Sequence, residues 1–257
     1  MEAEAILQML KQEQKRHSIS STTSSDLHDM AKCGLDNVDC PVCGNTGTVI
    51  VKGDKPLEIH SFPCECMKKR LSLRSLKKAG MEDMAKRYSM DSYQADDPQR
   101  QTIKTKAQRF IDADSGWFFI GGQSGSGKTH ICTAICTGLM ERASEIFFMP
   151  WRDESTALKM LMGRDFDRYE SSMQSLKRAP VLYIDDFLKG GTTEADIKIA
   201  YELLNARYNT EALRTVISSE YGLEEIMQID EALGGRIYER AKGFVVRAPK
   251  ENWRLRK

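Results

Sequence analysis

The stretch of sequence that decides the fold covers residues 117–129 and reads WFFIGGQSGSGKT. An apolar run leads directly into a glycine-rich segment of the form G-x4-G-K-T, which begins at Gly122 and ends at Thr129. Glycines such as Gly125 and Gly127 let backbone N–H groups curl around phosphate oxygens, and the helix that follows adds the positive end of its dipole. The stretch therefore predicts a strand, a phosphate-binding loop and a helix, in that order.

Side chains in and beside this loop are candidates for contact with a nucleotide. We expect Lys128 to reach the β- and γ-phosphates, and the hydroxyl of Thr129 to coordinate Mg²⁺. Ser126 within the loop and His130 directly after it complete the nucleotide-binding candidates, together with the loop glycines. The loop thus indicates ATP and Mg²⁺ as ligands.

The second half of the site is predicted at residues 181–186, VLYIDD, where an apolar strand ends in two aspartates. We expect Asp185 to hold Mg²⁺, directly or through water, and Asp186 to orient and activate the attacking water. The alternative is a solvated turn after a strand, in which paired aspartates are common.

A further strand, residues 215–218, ends in Ser218, Ser219 and Glu220. A polar side chain at this point is placed to sense the γ-phosphate, and we favour Ser219 for that role. The alternative is that these serines cap the helix that starts near Leu223, which is a common use of serine.

Apolar runs and helical stretches alternate from residue 99 onward. The runs that we interpret as strands are 117–120, 145–149, 181–184, 215–218 and 244–247. Helices are expected near 129–142, 153–162, 166–177, 194–211, 223–229 and 231–241. Short apolar strands separated by helices are typical of an α/β fold, so we predict a mostly parallel five-stranded sheet covered on both faces.

The composition of the 257 residues is that of a globular protein, with 40% hydrophobic and 29% charged residues. The net charge of +1 excludes a global field that would mark a nucleic-acid binder, so any basic surface must be local. No apolar run reaches the roughly 20 residues that cross a bilayer, and the start lacks the order of a secretory signal. We therefore expect a cytoplasmic protein without a membrane partner, whose cysteines remain thiols or metal ligands.

Two closely spaced pairs of cysteines predict a zinc site. They follow the pattern C-x2-C-x20-C-x-C and comprise Cys40, Cys43, Cys64 and Cys66. Tetrahedral zinc prefers paired thiolates, and the segments between the pairs, TGTVIVKGD and LEIHSF, are typical of a β-hairpin. Cys33 and His60 are the candidates to replace a ligand if one of the second pair does not bind. Cys132 and Cys136, after the phosphate loop, are expected in the core.

The chain is predicted to contain two domains, with a boundary between residues 80 and 81. Residues 1–80 form an N-terminal region with the zinc module at about 33–66, and residues 81–257 form the nucleotide-binding domain. Residues 2–16 are expected to form an amphipathic helix for packing or partner docking, and the polar stretch 18–25 a flexible joint. The basic run 67–80, MKKRLSLRSLKKAG, either follows a DNA backbone or forms a solvated helix between the domains.

Arginines occur in pairs near the end of the chain. Arg236 and Arg240 lie four residues apart on one helical face, and Arg254 and Arg256 alternate in NWRLRK. The guanidinium group is a fixed fork that matches phosphate oxygens, so these side chains are candidates to sense a nucleotide of their own or a neighbouring subunit. The alternative is that they form solvated basic faces.

Together these motifs resemble the DnaC-like helicase loaders of bacteria and phages, in the variety with an N-terminal zinc module. The resemblance covers most of the chain and rests on CPVCGNTG, PCECMKKR, GGQSGSGKTH, LYIDDFLKG, TEADIKIAYELLNARYN, ISSE, GGRIYERAKGF and NWRLRK, in that order. It implies an AAA+ ATPase that binds a hexameric replicative DNA helicase through its N-terminal region and helps to place it on single-stranded DNA during the initiation of replication.

The same resemblance implies roles for the late arginines. Arg240 matches the arginine finger, with Arg236 beside it, and Arg254 matches the sensor 2 arginine. Because arginine fingers act between subunits, self-association or a ring templated by the helicase is expected. The chain departs from related loaders at the sensor 1 position, where asparagine is frequent and this sequence has serines.

Three other functions remain open at this point. A transposition helper ATPase shares the same ATPase fold. A zinc-dependent nucleic-acid-binding regulator would use its nucleotide site as a switch without needing hydrolysis. A P-loop kinase would require an acceptor pocket and an arginine-rich lid, and the late arginines are compatible with such a lid.

Overall fold

Residues 39–52, 59–78, 82–142, 144–190 and 192–253 are described in the structure, which is a computed structural model. The chain divides into two compact units, Met1–Cys66 and Met67–Lys257. The predicted helix at 2–16, the predicted joint at 18–25, and Cys33, Arg254 and Arg256 lie outside the described residues. Within the described part of the chain, every helix is too short or too polar to span a membrane.

The described part of the first unit is built on an antiparallel hairpin, which confirms the prediction for this segment. Its strands are β1 (Thr48–Lys52) and β2 (Ile59–Pro63), and Val49 lies opposite Phe62 in the register. The backbone N–H of Cys64 donates to the carbonyl of Gly47 at 2.8 Å. The hairpin therefore brings the turn before β1 next to the residues that follow β2.

The second unit contains a five-stranded sheet in which every strand pair is parallel, so the predicted fold class is confirmed. Its strands are β3 (Trp117–Gly121), β4 (Ile146–Pro150), β5 (Val181–Phe187), β6 (Arg214–Ser219) and β7 (Val245–Arg247). Their spatial order is β4-β5-β6-β3-β7. Because β3 and β5 flank β6, the carboxyl ends of these three strands meet at one edge of the sheet.

The described helices surround this sheet. They are α1 (Cys66–Lys78), α2 (Glu82–Arg87), α3 (Pro98–Asp112), α4 (Lys128–Glu141), α5 (Trp151–Met162), α6 (Phe166–Arg178), α7 (Glu194–Tyr208), α8 (Leu223–Ile229) and α9 (Glu231–Arg240). Successive side chains of β3 enter two cores on opposite faces of the sheet. Phe118 and Ile120 pack in the core that contains α3 and α4, whereas Trp117 and Phe119 pack in the core that contains α7 and α9.

Helix α1 carries the basic run and packs within the second unit, so the boundary lies at residue 66 and not after residue 80. Leu76 is buried in the core. The Ser72 hydroxyl accepts from the N–H of Ile146 at 2.9 Å, which fastens α1 to the start of β4, and its hydrogen is shared between the carbonyls of Lys68 at 2.9 Å and Ser144 at 3.2 Å. Because Arg70 is only 1% exposed, the basic run is one face of a packed helix and not a solvated joint.

Helix α3 is missing from the predicted helices, although its start signal is present in the sequence. The Asp97 side chain caps the helix by accepting from the N–H of Arg100 at 2.9 Å, and Pro98 occupies the first turn. Proline is favoured there because an N–H at that position would have no acceptor within the helix, so its absence costs nothing. Ile103 and Ala107 then follow at helical spacing and are buried, so this cap and spacing were the available signal.

A buried guanidinium joins three elements of the second unit. Arg207 of α7 is 0% exposed, and its Nη1 donates to the carbonyls of Leu176 at 2.9 Å and Ala179 at 2.8 Å, at the end of α6. Its Nη2 donates to the carbonyl of Arg214 at 2.6 Å, and its Nε donates to the hydroxyl of Thr215 at 3.0 Å, at the start of β6. Burial lowers the pKa of Arg207 to about 9. The arginine therefore satisfies carbonyls that the end of a helix leaves without donors.

Replacing Arg207 by methionine is expected to lower the free energy of unfolding by about 3 kcal/mol, because several buried acceptors would lose their donor. Urea-induced unfolding followed by circular dichroism measures this loss. The matched control is Arg178→Met, since Arg178 is exposed and its replacement should change the free energy by no more than about 0.5 kcal/mol. Equal losses in the two variants would contradict the role assigned to Arg207.

Candidate functional site

The loop between β3 and α4 has a backbone conformation suited to surrounding a phosphate group. Gly125 has a φ of 78°, and Gly127, the N-cap of α4, has a φ of 91°. Residues with a Cβ atom rarely adopt this left-handed region. Helix α4 begins at Lys128, so its first N–H groups have no acceptor within the helix and are available to an anion.

Lys128 is held against this loop and shielded from solvent. It is 4% exposed, and its Nζ donates to the carbonyls of Gly122 at 2.6 Å and Gln123 at 2.8 Å. Burial lowers the pKa of Lys128, while the charges of Asp186 and Glu220 act in the opposite direction. A desolvated ammonium group interacts strongly with anions, so its position fits contact with phosphate.

The carboxylate of Asp185 lies beside the loop and is held by hydroxyl groups. Its Oδ1 accepts hydrogen bonds from the hydroxyls of Ser218 at 2.5 Å, Tyr183 at 2.7 Å and Thr129 at 3.4 Å. Burial raises the pKa of Asp185, whereas the hydrogen bonds from Ser218 and Tyr183 lower it. The structure thus brings together the two side chains, Thr129 and Asp185, that the sequence assigns to Mg²⁺.

A register shift between β5 and β6 places Asp186 next to this pair. The shift falls between Ile184 and Phe187, and Asp186 has a φ of 52°, which is uncommon for a residue other than glycine. Such bulges re-aim side chains at the ends of strands. The Lys189 ammonium lies 2.9 Å from the Asp186 carboxylate and 2.9 Å from that of Glu220. Its hydrogen bond with Asp186 raises the pKa of Lys189, so the lysine remains a cation.

The two serines at the end of β6 are arranged differently from the expectation that Ser219 contacts the phosphate. The Ser219 hydroxyl donates to the carbonyl of Phe187 at 2.8 Å and accepts from the N–H of Tyr221 at 3.1 Å. Ser218 instead contacts Asp185, and its oxygen accepts from the N–H of Asp186 at 3.0 Å. The alternation of a strand sends the two side chains to opposite faces, and Ser218 is the one on the side of the aspartates.

A cavity of about 320 Å³ opens beside the loop. Its walls include the predicted Lys128, Thr129, His130 and Asp186. They also include residues that no sequence motif predicts, namely Tyr88, Ser92, Tyr93, Gln94, Lys189 and Trp253. Four of the missed residues come from the segment between α2 and α3, which carries no motif. The available signal was two tyrosines in a short polar segment before a capped helix.

His130 links that segment to α4. Its ring stacks on Tyr88 with 4.6 Å between ring centroids and meets the edge of Tyr93 at 5.3 Å. Its Nε2 lies 3.2 Å from the carbonyl of Ser89 and 3.2 Å from the hydroxyl of Ser92. Burial lowers the pKa of His130, which favours the neutral imidazole. The aromatic wall of the cavity is therefore a packed cluster.

The last described residues of the chain cover the opposite side of the loop. The N–H of Trp253 donates to the carbonyl of Gly125 at 2.9 Å, and a Cβ atom on Gly125 would lie 2.0 Å from Oδ1 of Asn252. The guanidinium of Arg100 lies 4.6 Å from the centre of the Trp253 ring and donates to Glu251 at 2.9 Å. These contacts hold the C-terminal segment on the phosphate loop.

Arg236 and Arg240 are not among the residues that line the cavity. Arg236 donates to Asn205 and to the hydroxyl of Tyr201, each at 2.9 Å, and Arg240 donates to the carbonyl of Glu211 at 2.9 Å. Both arginines thus contact α7 and the residues just after it.

The four predicted zinc ligands lie together in the first unit. All four Sγ atoms are within 4.8 Å of one another, with Cys40 and Cys64 at 3.8 Å and Cys43 and Cys66 at 3.5 Å. Zn–S bonds of about 2.3 Å in a tetrahedron would place the sulfurs about 3.8 Å apart. Burial favours the thiol of Cys43, but the N–H of Gly47 and the other cysteines lower its pKa to about 7. This donor set fits a tetrahedral thiolate site.

A parallel sheet with a phosphate loop after β3, an aspartate pair at the end of β5 and a polar side chain at the end of β6 defines an AAA+ ATPase. The chain belongs to the family of IstB-like ATP binding proteins, whose family profile matches residues 66–257. Membership of this family argues against the P-loop kinase alternative. The match begins at residue 66, next to the start of the second structural unit at Met67.

Comparison with individual proteins agrees with this family. The chain is 29% identical over 233 residues to the phage-like element PBSX protein XkdC of Bacillus subtilis (strain 168), covering 84% of each chain. It is 22% identical over 173 residues to the replicative helicase loader DnaC of Escherichia coli (strain K12), covering 66% of this chain and 69% of DnaC. The solved structure of DnaI is similar in fold, with a TM-score of 0.55 and 20% identity, covering 66% of this chain and 92% of that one.

Replacing Gly125 by alanine is expected to weaken ATP binding by about tenfold or more, because the new Cβ would force Asn252 off the loop and strain the backbone. Titration with a fluorescent ATP analogue measures the affinity. The matched control is Gly163→Ala, since no atom lies within 4 Å of a Cβ built at Gly163. Unchanged affinity in the Gly125 variant would show that the C-terminal segment does not constrain the loop.

Proposed function

We propose that this protein is an ATP-dependent helicase loader, which binds a replicative DNA helicase and helps to load it on single-stranded DNA. The observation that carries the proposal is the convergence of Lys128, Thr129 and Asp185 at one edge of the sheet, in a member of an ATP-binding family. The likeness to the loader DnaC supports the loading function over other uses of the same ATPase.

In the proposed reaction, the protein holds the ATP phosphates between the loop and the end of β5. Lys128 contacts the β- and γ-phosphates, and the backbone N–H groups of the loop surround them. Thr129 and Asp185 would hold Mg²⁺, which would neutralise phosphate charge. Asp186 would orient the attacking water and accept its proton as the water oxygen bonds to the γ-phosphorus and ADP leaves with the bridging oxygen.

The aromatic cluster is proposed to hold the base of the nucleotide. Tyr88, Tyr93, His130 and Trp253 border the same cavity as the phosphate loop. Flat aromatic rings offer a stacking surface for a purine and exclude water from the site. The segment that carries Tyr88 and Tyr93 leads directly into α3 (Pro98–Asp112).

Arg240 is proposed to act as the arginine finger of one subunit on the nucleotide of the next, with Arg236 beside it and Arg254 as the sensor 2 residue. Support comes from the position of Arg236 and Arg240 outside the cavity of their own subunit. Ring formation, either by self-association or on the helicase, would then complete each site. ATP hydrolysis would then occur only after the subunits have assembled.

Single-stranded DNA is proposed to contact the turn between α5 and α6. Phe166 is 65% exposed and Met160 is 61% exposed, and Arg164 and Arg168 on the same turn are also exposed. An exposed aromatic ring between arginines suits stacking of a base and contact with the backbone phosphates. The basic face of α1 is less suited to a continuous DNA track, because Arg70 is buried.

The cysteine cluster is proposed to bind one zinc ion and to give the first unit a fixed shape for contact with the helicase. A small unit such as Met1–Cys66 buries a limited apolar core, and a metal site adds to its stability. The zinc ligands are then Cys40, Cys43, Cys64 and Cys66, with no need of His60 or Cys33.

Two alternative functions can be distinguished from helicase loading by experiment. A transposition helper ATPase would bind a transposase and not a replicative helicase, and membership of the IstB-like family is compatible with it. A nucleotide-switched regulator would retain its function in Asp185→Ala and Asp186→Ala variants, because binding alone would suffice.

Steady-state ATP hydrolysis with and without single-stranded DNA tests the loader proposal. DNA is expected to stimulate the wild type, and Lys128→Ala and Arg240→Ala are expected to lower the stimulated rate about 100-fold or more. Phe166→Ala should keep the rate measured without DNA and lose the stimulation. Arg178→Ala is the matched arginine control, since Arg178 is exposed and lies outside the nucleotide cavity.

A purified replicative helicase is the second arm of this test. Co-migration of the two proteins in gel filtration is expected, and DNA-dependent hydrolysis should rise further in the complex. Hydrolysis that is independent of DNA and survives the loss of Arg240 would contradict a site built between subunits. Absence of helicase binding would contradict the loader function itself.

One zinc ion per chain is expected in the purified protein by elemental analysis. Cys43→Ser and Cys64→Ser should each lose the metal, because a thiolate is a better zinc ligand than a hydroxyl. Cys33→Ser is the control and should retain full occupancy. Loss of zinc in the Cys33 variant, or retention in both others, would contradict the assigned ligand set.

A further inference from the structure

Tyr183 places a hydroxyl group inside the sheet, at a position where an apolar side chain would fill the core equally well. The residue is fully buried, and its ring packs 5.0 Å from that of Phe148. A buried hydroxyl is costly unless it has a hydrogen-bond partner, and this one donates to Oδ1 of Asp185 at 2.7 Å. Residues two apart in a strand lie on the same face of the sheet, so the hydroxyl of Tyr183 can reach the carboxylate of Asp185 within the same strand.

The hydrogen bonds to Asp185 are strongly asymmetric between its two oxygens. Tyr183, Ser218 and Thr129 all donate to Oδ1. No hydrogen bond to Oδ2 is present among the described residues. Three donors on one oxygen fix the orientation of the carboxylate plane, and they leave Oδ2 as the oxygen with free lone pairs.

We propose that Tyr183 is a positioning residue, which orients Asp185 so that its Oδ2 is available to the magnesium ion of bound ATP or to a water on that ion. The inference rests on the proposed function of the same site in Mg²⁺-dependent ATP binding. Tyr183 does not touch the nucleotide, because it is buried behind Asp185 and is absent from the walls of the cavity. Its effect is therefore confined to the metal side of the site.

The test is Tyr183→Phe, which removes one oxygen atom and keeps the ring. Hydrolysis measured against free Mg²⁺ should show a half-saturating concentration about tenfold higher than in the wild type, because one hydrogen bond to a charged group is lost. The maximal rate at saturating Mg²⁺ should stay within about twofold. Binding of a fluorescent ATP analogue in EDTA should be unchanged, whereas the tightening on addition of Mg²⁺ should be reduced about tenfold.

The matched control is Tyr169→Phe, which removes another buried tyrosine hydroxyl that donates to a carboxylate, that of Glu202 at 2.6 Å. Its Mg²⁺ dependence should equal that of the wild type. The proposal is overturned if Tyr183→Phe leaves the Mg²⁺ dependence unchanged, or if it weakens binding equally with and without Mg²⁺. The Mg²⁺ dependence is measured without DNA or helicase. The role assigned to Tyr183 can therefore hold even if the loader function is contradicted. Absence of Mg²⁺-dependent tightening in the wild type would overturn both.

Discussion

Three hydroxyl groups donate hydrogen bonds to one oxygen of Asp185, and these bonds join the elements on which the nucleotide site depends. Thr129 belongs to α4, Tyr183 to β5 and Ser218 to β6, so a single carboxylate connects a helix and two neighbouring strands. Burial of a carboxylate is unfavourable unless donors compensate for the lost water. The three donors supply that compensation, and the cost of separating them from Asp185 keeps the edge of the sheet in one arrangement.

The irregular backbone after Ile184 is stable because charged groups surround it. Asp186 has a positive φ in the register shift between β5 and β6, and such a conformation persists only where neighbouring contacts determine it. The N–H of Asp186 is bound to Ser218, and its carboxylate is paired with Lys189, which also contacts Glu220. The strain and the charge are therefore concentrated at the same edge of the sheet as the phosphate loop.

Polar groups far apart in the sequence fix the elements around this edge. The guanidinium of Arg207 satisfies carbonyls from the end of α6 and the start of β6. Ser72 fastens α1 to β4 across 74 positions of the chain. The sequence marks both residues as ordinary members of helices, since neither spacing nor composition distinguishes a serine or arginine that is buried from one that is solvated. For the same reason the sequence leaves open whether the basic run contacts a DNA backbone or forms a solvated helix between the domains, whereas in the structure its helix packs into the second unit.

The sequence by itself determined the five strands of the parallel sheet, the helices that follow the phosphate loop, the loop itself, the aspartate pair and the grouping of the four cysteines. These features depend on local periodicity, on glycine conformations and on short ligand spacings, all of which are visible within a few residues. Only the tertiary structure decided that Ser218 and not Ser219 contacts Asp185, that Tyr88, Tyr93 and Trp253 border the cavity, and that α1 joins the second unit. Each of these depends on which face of an element is buried against a distant segment, and that choice is made by packing and by the satisfaction of buried polar groups.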